Sequence, residues 1–383
     1  MASSTPIKVA VLDDYHNLAE KHFEHIDRSK VDVTVFRDTL PAYSHPKTSD
    51  ADRKALVDRL KPFSVIFTMR ERIALTGDLL AQLPNLEVIL ATGGKFESWD
   101  MKAIGEQGIK VCAAPGKGRT DGKGIGQSLR SLPVKHGGGH PTTQQVWALI
   151  LALARNVAAD DAVVKGKGVK PGWQTELAIG LLGKTLGLVG LGRIGSHVAR
   201  VGVLAFGMKI VCWSANLTQE KADALAEEAG LPVTGGGMTG NTQKTFKVIS
   251  KEELFRSADV VSLHYVLSER SKGIVGAQEL GWMKSSGLLI NTSRGPLVDE
   301  AALIDTLRNG RIRGAALDVY DIEPLPADSP WRNEDWDVEG KSRVLLTPHM
   351  GYVEEGTFQT WFEETAENLE RIVEGKELLH CIT

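Results

Sequence analysis

The stretch Gly187-Leu188-Val189-Gly190-Leu191-Gly192-Arg193-Ile194-Gly195 decides how this chain must be read. An apolar run, Leu186–Val189, leads into it, and a helical pattern over 194–206 leaves it. In that setting Gly-x-Gly-x-x-Gly has a specific physical use. Gly190 permits the tight turn, Gly192 lets a pyrophosphate approach the backbone, and Gly195 lets helix and strand pack closely. The helix start at Arg193 and Ile194 then offers unpaired N–H groups and the positive end of its dipole. A dinucleotide, NAD or NADP, is the cofactor this arrangement expects.

On both sides of this motif, short apolar runs alternate with helical stretches. Before it lie Ile7–Leu12, Val31–Phe36, Ser64–Thr68, Leu86–Leu90 and Ile109–Cys112, with helices predicted over 51–60 and 76–83. From the motif onward come Leu186–Val189, Lys209–Trp213, Val260–His264, Gly287–Asn291, Gly314–Asp318 and Val344–Thr347, with helices over 194–206, 218–229 and 299–309. Such alternation predicts parallel sheets covered by helices on both faces. Two of them are expected, because 383 residues exceed one ordinary core. The fold class is α/β, with two doubly wound parallel-sheet domains. A last helix, 356–374, follows the final strand and is expected to return to the first domain.

The helix over 143–155 is apolar on nearly every side and predicts burial all round, within its domain or against a second copy. Glycine-rich stretches at 116–139 and 232–247 read as solvent-exposed insertions. Cys112, Cys212 and Cys381 are too few and too scattered for a disulfide framework or a zinc cluster. Two of them read as small hydrophobes within strands and Cys381 as a loose residue, and no metal site is expected. A net charge of −3 leaves no basic footprint for nucleic acid, and no apolar run approaches a membrane span. With no secretory pattern at residues 1–6, a cytoplasmic location is the expectation.

Three polar motifs follow strand-like runs in the second half. Asn291-Thr292-Ser293-Arg294-Gly295 carries an arginine, Leu317-Asp318-Val319-Tyr320-Asp321-Ile322-Glu323-Pro324 two carboxylates, and Thr347-Pro348-His349-Met350-Gly351 a histidine. Open parallel sheets bind ligands beyond the carboxyl ends of their strands, so these motifs can converge. Hydride attack from such a dinucleotide on a carbonyl puts negative charge on the carbonyl oxygen. Arg294, fork-shaped and permanently charged, suits an oxygen or carboxylate of that charge. His349 suits proton donation in one direction and acceptance in the other, with Glu323 holding its ring and favouring its charged form.

With those motifs in this order, the chain resembles the D-isomer-specific 2-hydroxyacid dehydrogenase family over essentially its whole length. The resemblance implies a Rossmann-type cofactor domain, 142–351, inserted into a flavodoxin-like substrate domain, 1–141 plus 352–383, with the active site between them. It implies hydride transfer between NAD(P)(H) and a small 2-hydroxy or 2-keto acid, with Arg294, Glu323 and His349 as the catalytic trio. It places Gly190, Gly192, Arg193, Ile194, Gly195, Ser214, Asn216, Thr292 and Asp318 on the cofactor, Asp318 at the nicotinamide carboxamide. It places Arg70, Gly93, Gly94 and Arg294 on the substrate, and family habit implies a homodimer.

The chain also departs from the family. The second strand of the cofactor domain ends Trp213-Ser214-Ala215-Asn216, with no carboxylate for the adenosine ribose and no immediate arginine for a 2′-phosphate, so NAD and NADP both stay admissible. Val266 stands where the family usually has proline, and His264 just before it reads as structural first. A formate dehydrogenase is expected to pair its histidine with glutamine, against which Glu323 counts. A dinucleotide-sensing interaction protein, like the family's corepressor branch, is the rival from another class, since that branch keeps the same residues.

Overall fold

The computed structural model describes residues 5–69, 72–94, 96, 98–124, 140–168, 173–174, 176–237, 242–336 and 338–383. It divides into two compact units, residues 1–133 with 354–383, and 134–353. The second unit is thus inserted between the strands of the first and the first unit's last helix.

The first unit is built on five parallel strands, β1 (Ile7–Val11), β2 (Val31–Val35), β3 (Val65–Thr68), β4 (Val88–Thr92) and β5 (Lys110–Ala114). Their order is β2-β1-β3-β4-β5, a flavodoxin-like arrangement. β3 and β4 are buried along their whole length, which is why both read as unbroken apolar runs. The helix Glu355–Glu374 returns to this sheet, burying Phe358, Trp361, Phe362 and Leu369. Phe362 meets Phe67 edge-on at 5.0 Å and lies 6.1 Å from Phe23. Each such buried side chain contributes about 1.5–3 kcal/mol. Glu354 caps the helix by accepting the N–H groups of Gly356 and Thr357.

The second unit carries seven parallel strands: β6 (Thr185–Val189), β7 (Lys209–Trp213), β8 (Phe246–Val248), β9 (Val260–Leu263), β10 (Leu288–Asn291), β11 (Gly314–Leu317) and β12 (Arg343–Leu346). Their order, β12-β11-β10-β9-β6-β7-β8, is that of a doubly wound Rossmann sheet with one added edge strand. Its two faces are covered by separate apolar clusters, one around Val146, Ile150 and Val198, the other around Leu254, Leu303 and Leu307. Among the described residues no helix is long and apolar enough to cross a membrane.

Several sequence expectations need correction. The glycine-rich region 232–247 ends in a strand: β8 pairs with β7, Ile210 opposite Phe246. Its three residues, one of them Lys247, are too short a run to stand out beside the glycines. Residues 116–124 are not a free insertion. Glu364 of the last helix, 3% exposed, accepts the N–H groups of Gly116 (2.7 Å), Lys117 and Gly118 (2.7 Å). Glu367 accepts the Thr120 N–H at 2.8 Å, and Glu370 pairs with Arg119 at 2.7 Å. Burial pushes the Glu364 carboxyl up despite those three donors. The rest of that insertion, 125–139, lies outside the described residues. Cys381 is not loose either, for it lies against Cys112 on β5. The apolar helix, Pro141–Ala154, is buried mainly within its own unit, leaving Gln144 and Ala148 exposed.

Candidate active site

At the end of β6 the chain turns through Gly190 at φ 99°. A Cβ at Gly190 would stand 2.5 Å from the His264 carbonyl oxygen, and one at Gly195 would stand 2.5 Å from the Gly190 carbonyl oxygen. Both glycines are therefore required by close backbone approaches. Among the described residues nothing lies within 4 Å of such a Cβ over Gly192, so that backbone face is open to them. The 14-residue helix Arg193–Phe206 begins there without a side-chain cap. Its first N–H groups, including those of Arg193 and Ile194, have no partner within the helix. An open glycine face and an uncapped helix start fit the phosphates of a dinucleotide. Thr292, 7% exposed after β10, leaves its hydroxyl without a partner among the described residues, which fits a hydrogen bond to a bound molecule.

At the end of β7, Ser214 is half-buried and Asn216 exposed. Lys221 folds back onto the Asn216 carbonyl oxygen at 3.2 Å. Trp213 stacks on Tyr265 at 6.0 Å, and the Tyr265 hydroxyl accepts the Ala215 N–H at 3.3 Å. His264 bonds Ser262 Oγ at 3.0 Å, and burial pushes its imidazole down to about 4. It is a neutral packing group at the turn that Gly190 touches.

Arg294, Glu323 and His349 follow β10, β11 and β12, three neighbouring strands, all beyond their carboxyl ends. His349 Nδ1 lies 2.5 Å from Glu323 Oε2, while Glu323 Oε1 accepts the Tyr320 N–H at 2.8 Å. The carboxylate is thus held at both oxygens. With Nδ1 facing Glu323, the ring presents Nε2 away from it. Gly295 brings the arginine loop against the glutamate loop: a Cβ there would stand 2.0 Å from the Tyr320 carbonyl. No larger residue permits that approach. Asn291 donates to the Arg294 carbonyl at 2.9 Å, and Arg294 Nη1 donates to the Ser293 carbonyl at 2.9 Å.

Asp318 is fully buried, and its carboxylate is directed at its own chain. It accepts Thr347 Oγ1 (2.5 Å) and the N–H groups of Met350 (2.7 Å) and Gly351 (2.8 Å). Gln145 lies 3.1 Å from Thr347 Oγ1 and reaches the same carboxylate at 3.4 Å. Burial pushes the Asp318 carboxyl up. Its bonds flank His349, which adopts φ 56°, a left-handed conformation costly for a non-glycine residue. Sequence reading found Asp318 but not this use of it, carried Thr347 and Tyr320 within its motifs without a role, and missed Gln145. Thr347 stood in view as the residue two before His349; nothing in the sequence marked Gln145, some two hundred positions away.

In the first unit, Gly93 adopts φ 82° and donates its N–H to the Ala114 carbonyl at 3.0 Å. Among the described residues Gly94 has nothing within 4 Å of where a Cβ would stand. Arg70 lies outside the described residues.

Comparison with known proteins identifies the family. The family described as D-isomer specific 2-hydroxyacid dehydrogenase, NAD binding domain, matches residues 147–351. A glyoxylate reductase of Aeropyrum pernix is 33% identical over 304 residues, 78% of this chain and 77% of that protein. A hydroxypyruvate reductase of Thermotoga maritima is 30% identical over 307 residues, 79% of this chain and 83% of that protein. The crystal structure of a phosphoglycerate oxidoreductase from Vibrio cholerae superposes with a TM-score of 0.72 at 31% identity, covering 96% of this chain and 99% of that one. With two parallel-sheet domains, one of them the NAD-binding domain, the chain belongs to the D-isomer-specific 2-hydroxyacid dehydrogenase family, NAD(P)-dependent oxidoreductases of hydroxy and keto acids.

Proposed function

We propose that the protein reduces a small 2-keto acid, or oxidises the matching 2-hydroxy acid, with Arg294, Glu323 and His349 as its catalytic residues. The observation that carries this reading is the His349–Glu323 pair at 2.5 Å on adjacent strand ends, with Arg294 following the next strand of the same sheet. Gly190, Gly192, Arg193, Ile194, Gly195, Ser214, Asn216 and Thr292 hold the dinucleotide, which supplies or accepts the hydride when bound. Arg294 binds the substrate carboxylate and the carbonyl oxygen on which charge develops. His349 delivers a proton from Nε2 to that oxygen in reduction and takes it back in oxidation. Glu323 keeps the ring oriented and balances its positive charge. Asp318 positions the His349 loop. Gly93 and Gly94 are the proposed donors to the substrate carboxylate, Gly94 being the better suited because the Gly93 N–H already has a partner.

Relatives named glyoxylate and hydroxypyruvate reductase support a substrate of that small size. A homodimer is supported by the large apolar side chains Val157, Val164, Leu177 and Leu182, all more than half exposed in one stretch of the second unit. A cytoplasmic location is the reading we keep, supported by the likeness to reductases of small acids.

The test is the absorbance decay of NADH and NADPH with a panel of 2-keto acids from glyoxylate and hydroxypyruvate to branched and aromatic acids. Turnover of a small acid is expected, with His349→Ala lowering kcat about 10²–10⁴-fold while dinucleotide binding is kept. Silence across the panel despite dinucleotide binding, or equal loss of turnover and binding in the variant, overturns the reading.

A further inference from the structure

The C-terminal residues complete the edge of the first unit's sheet. The Ala113 N–H donates to the His380 carbonyl at 3.0 Å, and the Ile382 N–H donates to the Val111 carbonyl at 2.8 Å, so Cys381 stands opposite Cys112 in an antiparallel bridge. Thr383 extends the attachment, its Oγ1 accepting the Val111 N–H at 2.8 Å. Because the two backbone bonds flank the cysteines rather than join them, the pair occupies a non-hydrogen-bonded position. There Cα atoms lie about 4.5 Å apart and side chains come closest. A disulfide requires about 4.4–6.8 Å between Cα atoms, so the ladder can accept one without moving its strands. The sulfurs already stand 2.6 Å apart, Cys112 at 1% exposure and Cys381 exposed. The third cysteine, Cys212, is buried on β7 of the other unit.

We propose that Cys381 and Cys112 form a thiol–disulfide exchange site for low-molecular-weight disulfides, in which Cys381 attacks first and Cys112 resolves the mixed disulfide. The Cys381 thiolate attacks one sulfur of a disulfide such as oxidised glutathione; that S–S bond breaks and one glutathione thiolate leaves. Cys112 then attacks the Cys381 sulfur, forming the protein disulfide, and the second glutathione departs with the proton that Cys112 gives up. Two protein thiols are oxidised to one disulfide, and one glutathione disulfide is reduced to two thiols. The order follows from access: only Cys381 meets solvent, and burial pushes the Cys112 thiol well above its usual range. Contact with the mixed disulfide lets a poorly ionised Cys112 act where it would never react from solution. The product fastens the C-terminal strand covalently to β5, and cellular thiols would reverse it.

The experiment is treatment of the full-length protein with oxidised glutathione, followed by peptide mass mapping without reduction. Wild type is expected to give a Cys112–Cys381 disulfide, with Cys212 free and the bond reversed by dithiothreitol. Cys381→Ser, a change at an exposed position, should leave Cys112 unmodified, and Cys112→Ser should trap glutathione on Cys381. Glutathione persisting on Cys381 of wild type, or modification of Cys112 in Cys381→Ser, overturns the proposal. The wild-type map and the exposed-site variant decide it even if Cys112→Ser does not fold.

Discussion

Replacing Asp318 by asparagine separates two roles that the residue can have. The side chain keeps its shape and one acceptor oxygen, which can still serve Thr347 Oγ1 and the Met350 N–H. The other oxygen becomes an NH2 group facing the Gly351 N–H, now donated at 2.8 Å. One hydrogen bond to a charged group is lost, at about 1.5–3 kcal/mol, and a buried N–H is left without an acceptor, at about 1–3 kcal/mol. Relaxation of the loop recovers part of this, so a net loss of about 2–4 kcal/mol is expected. Urea unfolding followed by fluorescence should show a lower midpoint with an unchanged slope. Because those bonds flank His349 at φ 56°, kcat should fall by about 10-fold or more as the ring leaves its place, since small misplacements near the chemistry are costly. Dinucleotide affinity should hold. Wild-type stability together with a dinucleotide affinity weakened about tenfold, equivalent to about 1.4 kcal/mol, would refute this reasoning and assign Asp318 to the nicotinamide instead.

Gly295→Ala forces a methyl group against the Tyr320 carbonyl, only 2.0 Å away, and should separate the Arg294 and Glu323 loops. A fall in kcat/KM of about 10²-fold, with the fold intact by circular dichroism, is expected. Ser214→Asp should weaken NADPH by setting a carboxylate near its 2′-phosphate, read as the ratio of kcat/KM for NADPH and NADH; an unchanged ratio would misplace the ribose end of β7. His264, held at about 4 in the fold against 6.5 when unfolded, makes the unfolded chain bind more protons between those values. Stability should therefore fall as pH drops from 6.5 towards 4, by about 2–3 kcal/mol from this group after allowance for its partial exposure. His264→Asn should flatten that part of the stability–pH curve.

By itself the sequence determined the alternation of strands and helices, the glycine turn after β6, and the three polar motifs after β10, β11 and β12. These are local features: an apolar run of four or five residues, a glycine at a turn, a charged residue just past a strand. A buried parallel sheet makes each visible because its strands are apolar on both faces. Arg294, Glu323 and His349 were legible for that reason, and because the fold places all strand ends on one edge. The tertiary structure alone decided which distant residues meet. Glu364 and the glycine loop at 116–118, Gln145 and Thr347, Cys112 and Cys381 are separated by roughly two hundred positions or more, and no periodicity links them. β8 was hidden because an edge strand of three residues needs little apolar content. Asp318 shows the same division within one residue. Its position after β11 is written in the sequence, but burial decides its use, since a carboxylate removed from water must take the nearest donors, and these belong to the loop of His349.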